Sequence, residues 1–204
     1  MKRILMILGL AFAFSSGSFS QAVKEGTSIV DVTYGWPNLY TNIFKAAVDQ
    51  ANSIGLSATG FGPIGIKYEY MVAEKVGIGC IFNYANSTVK YQLNQTVNGT
   101  PTTYNYEFSA QRIRAMAKFS FHFGNSEKFD GYTTIALGYF SSPWKWESND
   151  TSYVSSSVDI SSLFPVAARV AVGGRYYFTD NIGALMEFGL GGGGLLEFGV
   201  TAKF

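Results

Sequence analysis

The chain has 204 residues, of which 14% are charged and 16% aromatic, with 23 glycines and a single cysteine. A soluble domain carries roughly 25% charged residues, so much of this surface is not built to face water. The near balance of 15 basic and 14 acidic side chains lacks the basic stripe that nucleic acid requires. The lone Cys80 excludes an intramolecular disulfide and any CxxC metal or redox pair.

Taken in chain order, Lys2 and Arg3 precede an apolar stretch over 4–14 and then small and polar residues around Ser18, Ser20 and Ala22. That is the layout of a cleavable export signal over 1–20, with cleavage near 20–22, and the stretch is shorter than the ~20 apolar residues of a membrane helix. The remaining 21–204 form one domain. They contain no further apolar run long enough for a membrane helix, so a membrane-embedded chain would cross as strands.

Segments of period two predict eight antiparallel strands over 28–36, 63–71, 76–89, 104–123, 131–140, 164–178, 182–190 and 195–204. The connections at 73–75, 124–130 and 179–181 are short, whereas 37–62, 90–103 and 141–163 are long, with Gly191 to Gly194 a brief fourth member of the long side. Short turns at one end, long loops at the other and an even strand count are the pattern of a bacterial transmembrane β-barrel. Within the first long loop, Leu39, Ile43, Ala47 and Ala51 make an apolar stripe that predicts a short helix over 39–52. In the fourth strand Tyr104, Tyr106 and Phe108 lie on the opposite parity to Ile113, Ala115 and Ala117, and a bulge near Ala110 to Arg112 is the expected cause.

One face of these strands is apolar throughout, as in Val30, Val32 and Tyr34 or Phe198, Val200, Ala202 and Phe204. The other collects Asp31, Lys67, Glu69, Arg112, Arg114, Lys118, Arg169, Arg175, Glu187, Glu197 and Lys203. Gly65, Gly77, Gly79, Gly138, Gly173, Gly183, Gly189 and Gly199 share this charged face. Glycine marks close approach by another group, which suits a crowded lumen better than a water-facing surface, so the charges are expected inside. Seven bases against four acids leave an excess of three positive charges, with Arg112 and Lys203 near opposite rims. The polar set is read either as a network filling the interior or as a narrow anion-preferring pore, and the first is preferred because eight strands leave room only for side chains.

The signal segment, the turn Tyr68-Glu69-Tyr70-Met71-Val72-Ala73-Glu74-Lys75-Val76-Gly77-Ile78-Gly79, the arginine-bearing strand over 169–178 with Thr179-Asp180-Asn181, and a last strand ending in Phe204 together resemble the small OmpA/OmpX-like outer-membrane β-barrel family. The resemblance is to the short barrel or porin-family proteins of Bacteroidetes in particular. It implies a Gram-negative outer membrane, with outer-membrane lipids and lipopolysaccharide as surroundings. It also implies barrel-assembly machinery that reads the C-terminal signal Phe198, Val200, Ala202 and Phe204.

Material for catalysis is thin. His122 is the single histidine and is expected inside the barrel near the short-turn end, away from the lipid-facing and outer-loop positions where enzymes of this resemblance work. Gly191 to Gly194 lacks the Lys-Ser/Thr of a phosphate loop and is read as a flexible outer turn. No catalytic, cofactor or metal residue is assigned. The expected function is non-enzymatic, structural or surface-interacting through the outer loops, including the Trp144 and Trp146 loop. A small porin-like channel is the first alternative, a lipid-modifying enzyme the next, and a soluble ligand-binding barrel the last.

Overall fold

The structure, a computed structural model, describes residues 22–38, 41–42, 54–97, 100–124, 126–150, 155–159, 161 and 164–204. Its ten strands are β1 (Ser28–Trp36), β2 (Ile54–Ala73), β3 (Val76–Val97), β4 (Thr100–Phe123), β5 (Phe129–Ser141), β6 (Pro143–Ser148), β7 (Ser156–Asp159), β8 (Val166–Tyr177), β9 (Ile182–Gly191) and β10 (Leu196–Lys203). The eight expected strands therefore become ten, because parts of the long loops are themselves strands. β3 and β4 run on as a hairpin through most of 90–103, and 141–163 contains β6 and β7. The helix expected over 39–52 falls almost wholly outside the described residues. At its edge Asn38 Oδ1 accepts a bond from the Thr41 N–H (3.4 Å), and the Asn38 carbonyl accepts one from the Asn42 N–H (3.1 Å).

All pairings are antiparallel, and the β3–β4 pairing closes β1, β2, β3, β4, β5, β8, β9 and β10 into a ring. The stagger of that ring can be walked along paired residues. From Tyr139 the path passes Ala115, Phe82, Ile66, Val32, Val200, Ala184 and Tyr176 and returns to β5 at Phe129, ten residues from its start. With strands about 4.8 Å apart, this stagger tilts them by about 40° and gives a backbone radius of about 8 Å. Such a cylinder holds side chains and little else.

Alternation then distributes the residues. Ile135, Leu137, Val170 and Leu190 point outward, each at least 60% exposed, while Asp31, Lys67, Glu69, Arg169, Arg175 and Glu187 point inward and are at most 1% exposed. This inverts the arrangement of a water-soluble barrel. Cys80 lies on the outward face and is exposed.

The bulge expected in β4 is absent. Its register against β3 runs unbroken from Phe121 to Thr100, and β6 continues the register of β5 along its other side. The parity of the apolar residues changes because the surroundings change. Within the ring the inner face of β4 carries Arg112 and Lys118. Beyond it the same face carries Tyr104, Tyr106 and Phe108, opposite Leu93, Tyr91 and Val89 of β3 and, for Phe108, Trp146 of β6. Tyr91 stacks on Tyr106 at 5.1 Å, and Phe108 meets Trp144 and Trp146 at 5.2 and 5.1 Å. Above the ring, among the described residues, these strands bury aromatic faces against one another.

Glycine on the inner face makes room for the large side chains there. A Cβ on Gly173 would lie 2.8 Å from the Tyr132 ring, and one on Gly189 would lie 2.7 Å from Arg169 Nη2. Gly173→Val forces the buried Tyr132 to move, an overpacking cost of about 1–3 kcal/mol. The expected result is a lower urea midpoint for the refolded barrel, and an unchanged midpoint would contradict this packing.

Candidate functional site

The interior holds two ion-paired clusters joined by one tyrosine. Nearer the short turns, Arg175 from β8 is the hub. Its Nη2 donates to Asp31 Oδ2 (2.8 Å) and Glu69 Oε2 (2.7 Å), its Nη1 to Asp130 Oδ2 (2.9 Å), and its Nε to Asp31 Oδ1 (3.2 Å). Lys118 Nζ also donates to Glu69 Oε2 (2.9 Å). His122 sits between carboxylates, with Nδ1 2.7 Å from Asp130 Oδ1 and Nε2 3.1 Å from Glu69 Oε1.

The second cluster lies toward the long hairpin. Lys67 Nζ forms ion pairs with Glu187 Oε1 (2.8 Å) and Glu197 Oε2 (2.7 Å). Arg169 donates from Nε (3.0 Å) and Nη2 (2.8 Å) to Glu187 Oε1, and its Nη2 is 3.1 Å from Glu197 Oε1. Tyr132 links the clusters. Its ring lies 4.1 Å from the Arg175 guanidinium carbon and 5.3 Å from Lys118 Nζ, and its hydroxyl donates to Glu187 Oε2 (2.9 Å).

Both ends of this interior are covered by the chain itself. At the hairpin end, Gly191 to Gly194 is not a free outer turn but folds inward. Arg169 Nη1 donates to the carbonyls of Gly192 and Gly194 (3.2 Å each), Asn83 Nδ2 donates to that of Gly192 (3.1 Å), and the Gly194 N–H donates to Glu197 Oε1 (3.1 Å). Gly191 and Gly193 have φ of 96° and 137°, a region that favours glycine. Arg112 lies further out, its Nη2 donating to Asn38 Oδ1 (2.6 Å) and Ser87 Oγ (3.2 Å), and the Arg114 guanidinium lies 4.8 Å from the Phe140 ring. At the other end Ala22 and Val23 are buried with Ile29, Met71 and Tyr177. The Ala22 N–H donates to the Ser126 carbonyl (2.7 Å), Lys203 Nζ donates to the Ala22 carbonyl, and the same ammonium lies 4.3 Å from the Tyr177 ring.

The anticipated excess of positive charge changes with Asp130. Placed in a turn by the sequence reading, it is the second residue of β5, on the inward parity of Tyr132 and Thr134. Extending the alternation of that strand back by one residue would have found it. With Arg112 and Lys203 at the rims and Arg114 half-buried, the two clusters set Asp31, Glu69, Asp130, Glu187 and Glu197 against Lys67, Lys118, Arg169 and Arg175, with His122 between two of the acids. No group of three or more His, Cys, Asp or Glu side chains among the described residues is arranged to hold a metal.

Outside the ring, Asp159 fastens the corner between β5 and β7. It accepts bonds from the Ser161 hydroxyl (2.5 Å) and N–H (3.0 Å), the Ser142 N–H (3.1 Å) and the Ser141 hydroxyl (3.0 Å). The Ser161 bond foremost, with the others, holds this carboxyl below its ordinary value.

No protein-family model matches the chain, and no curated protein matches it. Among solved structures, the N-terminal β-barrel domain of Pseudomonas aeruginosa OprF aligns at 15% identity and a TM-score of 0.45, covering 89% of this chain and 100% of that one. The outer membrane protein OprG of the same organism aligns at 12% identity and 0.49, covering 91% and 99%. The attachment invasion locus protein Ail of Yersinia pestis aligns at 12% and 0.42, covering 88% and 99%. None of these likenesses bears on what the chain binds.

Two outcomes are expected of the site. Arg175→Met strands Asp31, Glu69 and Asp130 beside a single remaining ammonium, and breaking a buried ion pair costs about 3–5 kcal/mol. Urea unfolding of the refolded protein should show a loss of that size, whereas a loss below about 1 kcal/mol would mean the cluster is hydrated and screened. The Asp159 contribution is complete above the unfolded aspartate pKa of about 3.9 and is lost as pH falls through the lowered folded value. Because the Trp144 indole N–H donates to Ser142 at this corner (3.1 Å), tryptophan emission should be flat from pH 8 to 5 and change only below about pH 4.

Proposed function

We propose that the chain is a β-barrel of the Gram-negative outer membrane, crossing with its eight ring strands, and that it acts through the surface presented by its long hairpins. The observation that carries this reading is an apolar outer wall around an interior whose charges are paired with one another. From Phe129 to Tyr139 on β5 is ten residues, which at about 3.3 Å each and a tilt of about 40° span about 25 Å, the height of the apolar band on such barrels. Aromatic side chains border the band at both ends: Tyr70, Phe121, Tyr176 and Phe178 near the short turns, and Tyr34, Trp36 and Tyr139 near the hairpins, all exposed. Ring closure satisfies the backbone hydrogen bonds that lipid would leave open.

Export by a cleaved signal over 1–20, insertion by machinery that reads Phe198, Val200, Ala202 and Phe204, and a surrounding of outer-membrane lipid and lipopolysaccharide belong to the same reading. So does a short helix in the first outer loop. Conduction is disfavoured by Arg169, Lys67, Glu187 and Glu197, whose contacts cross the bore, and by the inward fold of Gly191 to Gly194. Catalysis is disfavoured because both nitrogens of His122 face carboxylates deep inside the ring.

Two measurements on the refolded protein test this reading together. The unboiled protein should migrate faster than the boiled protein on a gel, and it should give no discrete openings in a planar bilayer. Recovery as a soluble protein with no heat-dependent shift would remove the membrane assignment. Stable openings altered by Arg169→Ala and Glu187→Ala would make the chain a channel.

A further inference from the structure

The segment that leads into β1 is part of the short-turn mouth of the ring. The Gly26 N–H donates to the Met71 carbonyl and the Met71 N–H to the Thr27 carbonyl (2.9 Å each), fastening the segment to the end of β2. The Lys24 N–H donates to Thr27 Oγ1 (3.3 Å). Lys24 and Glu25 are exposed, but the two residues before them are not. Ala22 is 3% exposed and Val23 0%, packed with Ile29, Met71 and Tyr177. Both backbone polar groups of Ala22 are engaged from elsewhere in the ring. Its N–H donates to the Ser126 carbonyl in the β4–β5 connection, and its carbonyl accepts from Lys203 Nζ at the end of β10.

The sequence offers two bonds at which a signal segment could be removed. Ser20–Gln21 has Ser18 and Ser20 as the small residues before it, and Ala22–Val23 has Ser20 and Ala22. The small-residue rule accepts both. The folded mouth does not treat them alike.

Cleavage at Ala22–Val23 would turn the nitrogen of a fully buried residue into an ammonium group, and a buried charge is costly unless it is paired. It would also remove the carbonyl that Lys203 Nζ uses. Because the Val23 nitrogen is bonded to that carbonyl carbon, the new ammonium would stand beside the Lys203 ammonium. Asp130 and Asp180 are the acids that act on Lys203. Asp130 already accepts from Arg175 and bonds His122, and Asp180 is exposed to water, so neither is placed to neutralise a second buried cation. Cleavage at Ser20–Gln21 puts the new charge one residue upstream of Ala22 and leaves both Ala22 bonds intact.

We infer that the chain is processed at the Ser20–Gln21 bond, and that Ala22 and Val23 stay in the mature protein as the seal of its short-turn mouth, with Lys203 as the residue that makes their retention matter. The step is a hydrolysis: water gives its oxygen to the Ser20 carbonyl carbon and a proton to the Gln21 nitrogen. The assignment rests on the export reading above and fixes the bond that reading leaves open.

Two measurements test it. The full chain, exported by its own signal in a Gram-negative host and purified from the outer membrane, should have the intact mass of residues 21–204, with or without the loss of ammonia that cyclises an N-terminal glutamine. A mass of residues 23–204 would overturn the inference and leave the export reading standing. A chain that keeps residues 1–20, or that never reaches the outer membrane, would overturn both. The second measurement compares urea midpoints of chains refolded from Gln21 and from Val23, each released from a fusion with no added residue. The Val23 chain should have the lower midpoint. Lys203→Met should lower the midpoint of the Gln21 chain, which loses the bond to Ala22, and raise that of the Val23 chain, which loses a repulsion. A Val23 chain with no heat-dependent gel shift, beside a Gln21 chain that has one, is the same result in its strongest form. Equal midpoints for the two chains, or a Lys203→Met shift of the same sign in both, would overturn the seal while leaving the barrel in place.

Discussion

A ring of eight strands with a ten-residue stagger is narrow enough that each inward side chain must find its partner among the other inward side chains. That requirement accounts for the chemistry of the interior. Arg175 reaches three carboxylates because β1, β2 and β5 bring Asp31, Glu69 and Asp130 within bonding distance of one guanidinium, and its rigid fork of donors can serve several acceptors at once. Glycine follows from the same constraint, since a wall with a side chain at Gly173 or Gly189 would leave no room for Tyr132 or Arg169. The two ends follow as well. Arg169 reaches backbone carbonyls at one mouth, and Lys203 reaches the Ala22 carbonyl at the other, so the buried cations of the strands also hold the closing segments in place.

The long hairpin obeys the same rule in reverse. β3 and β4 keep one register from Val76 to Val97, yet the two faces exchange polarity where the ring ends. Inside the ring the inner face is polar because it encloses charge and the outer face is apolar. Above the ring the inner face gathers Tyr91, Tyr106, Phe108, Trp144 and Trp146 into aromatic contacts, and the outer face turns to amides and ion pairs. A change of apolar parity within a strand is therefore not by itself a sign of a bulge. It also marks the height at which a strand leaves the ring and its inner face ceases to enclose charge.

The ring was legible in the sequence because its faces differ at nearly every position. Val32 against Asp31, Ile66 against Lys67 and Phe188 against Glu187 each announce two environments, and the closing pair β1 and β10 shows the same alternation in Val200 and Thr201. The hairpins were less legible. Residues 90–103 and 141–163 are rich in Asn, Thr and Ser, which read as loop, and what makes their described parts strands is pairing, of β3 with β4, β6 with β4 and β7 with β6, rather than local preference. Asp130 was missed for a similar reason, lying beside a Gly- and Lys-containing turn that looked like its natural place. The inward fold of Gly191 to Gly194 had a local trace in its four glycines, but the donors that hold it, Arg169 and Asn83, come from β8 and β3.

Buried ion pairs are weak evidence for stability, since apolar replacements of similar size often serve as well. A more persuasive reason for charge in this interior lies before the ring closes. A strand apolar on both faces would be an uninterrupted β-prone segment, the kind that aggregates when exposed in water. Lys67, Arg169 and Arg175 interrupt such runs at alternate positions, where the finished ring buries them beside Glu187, Glu197 and Asp31. The same side chains thus interrupt aggregation-prone apolar runs along each strand and fill the assembled ring. With the interior committed in that way, variation that leaves the barrel unaltered has its place on the outward, exposed positions of β2, β3, β4 and β6 beyond the aromatic border, such as Ser57, Lys90, Gln92, Asn105 and Glu147.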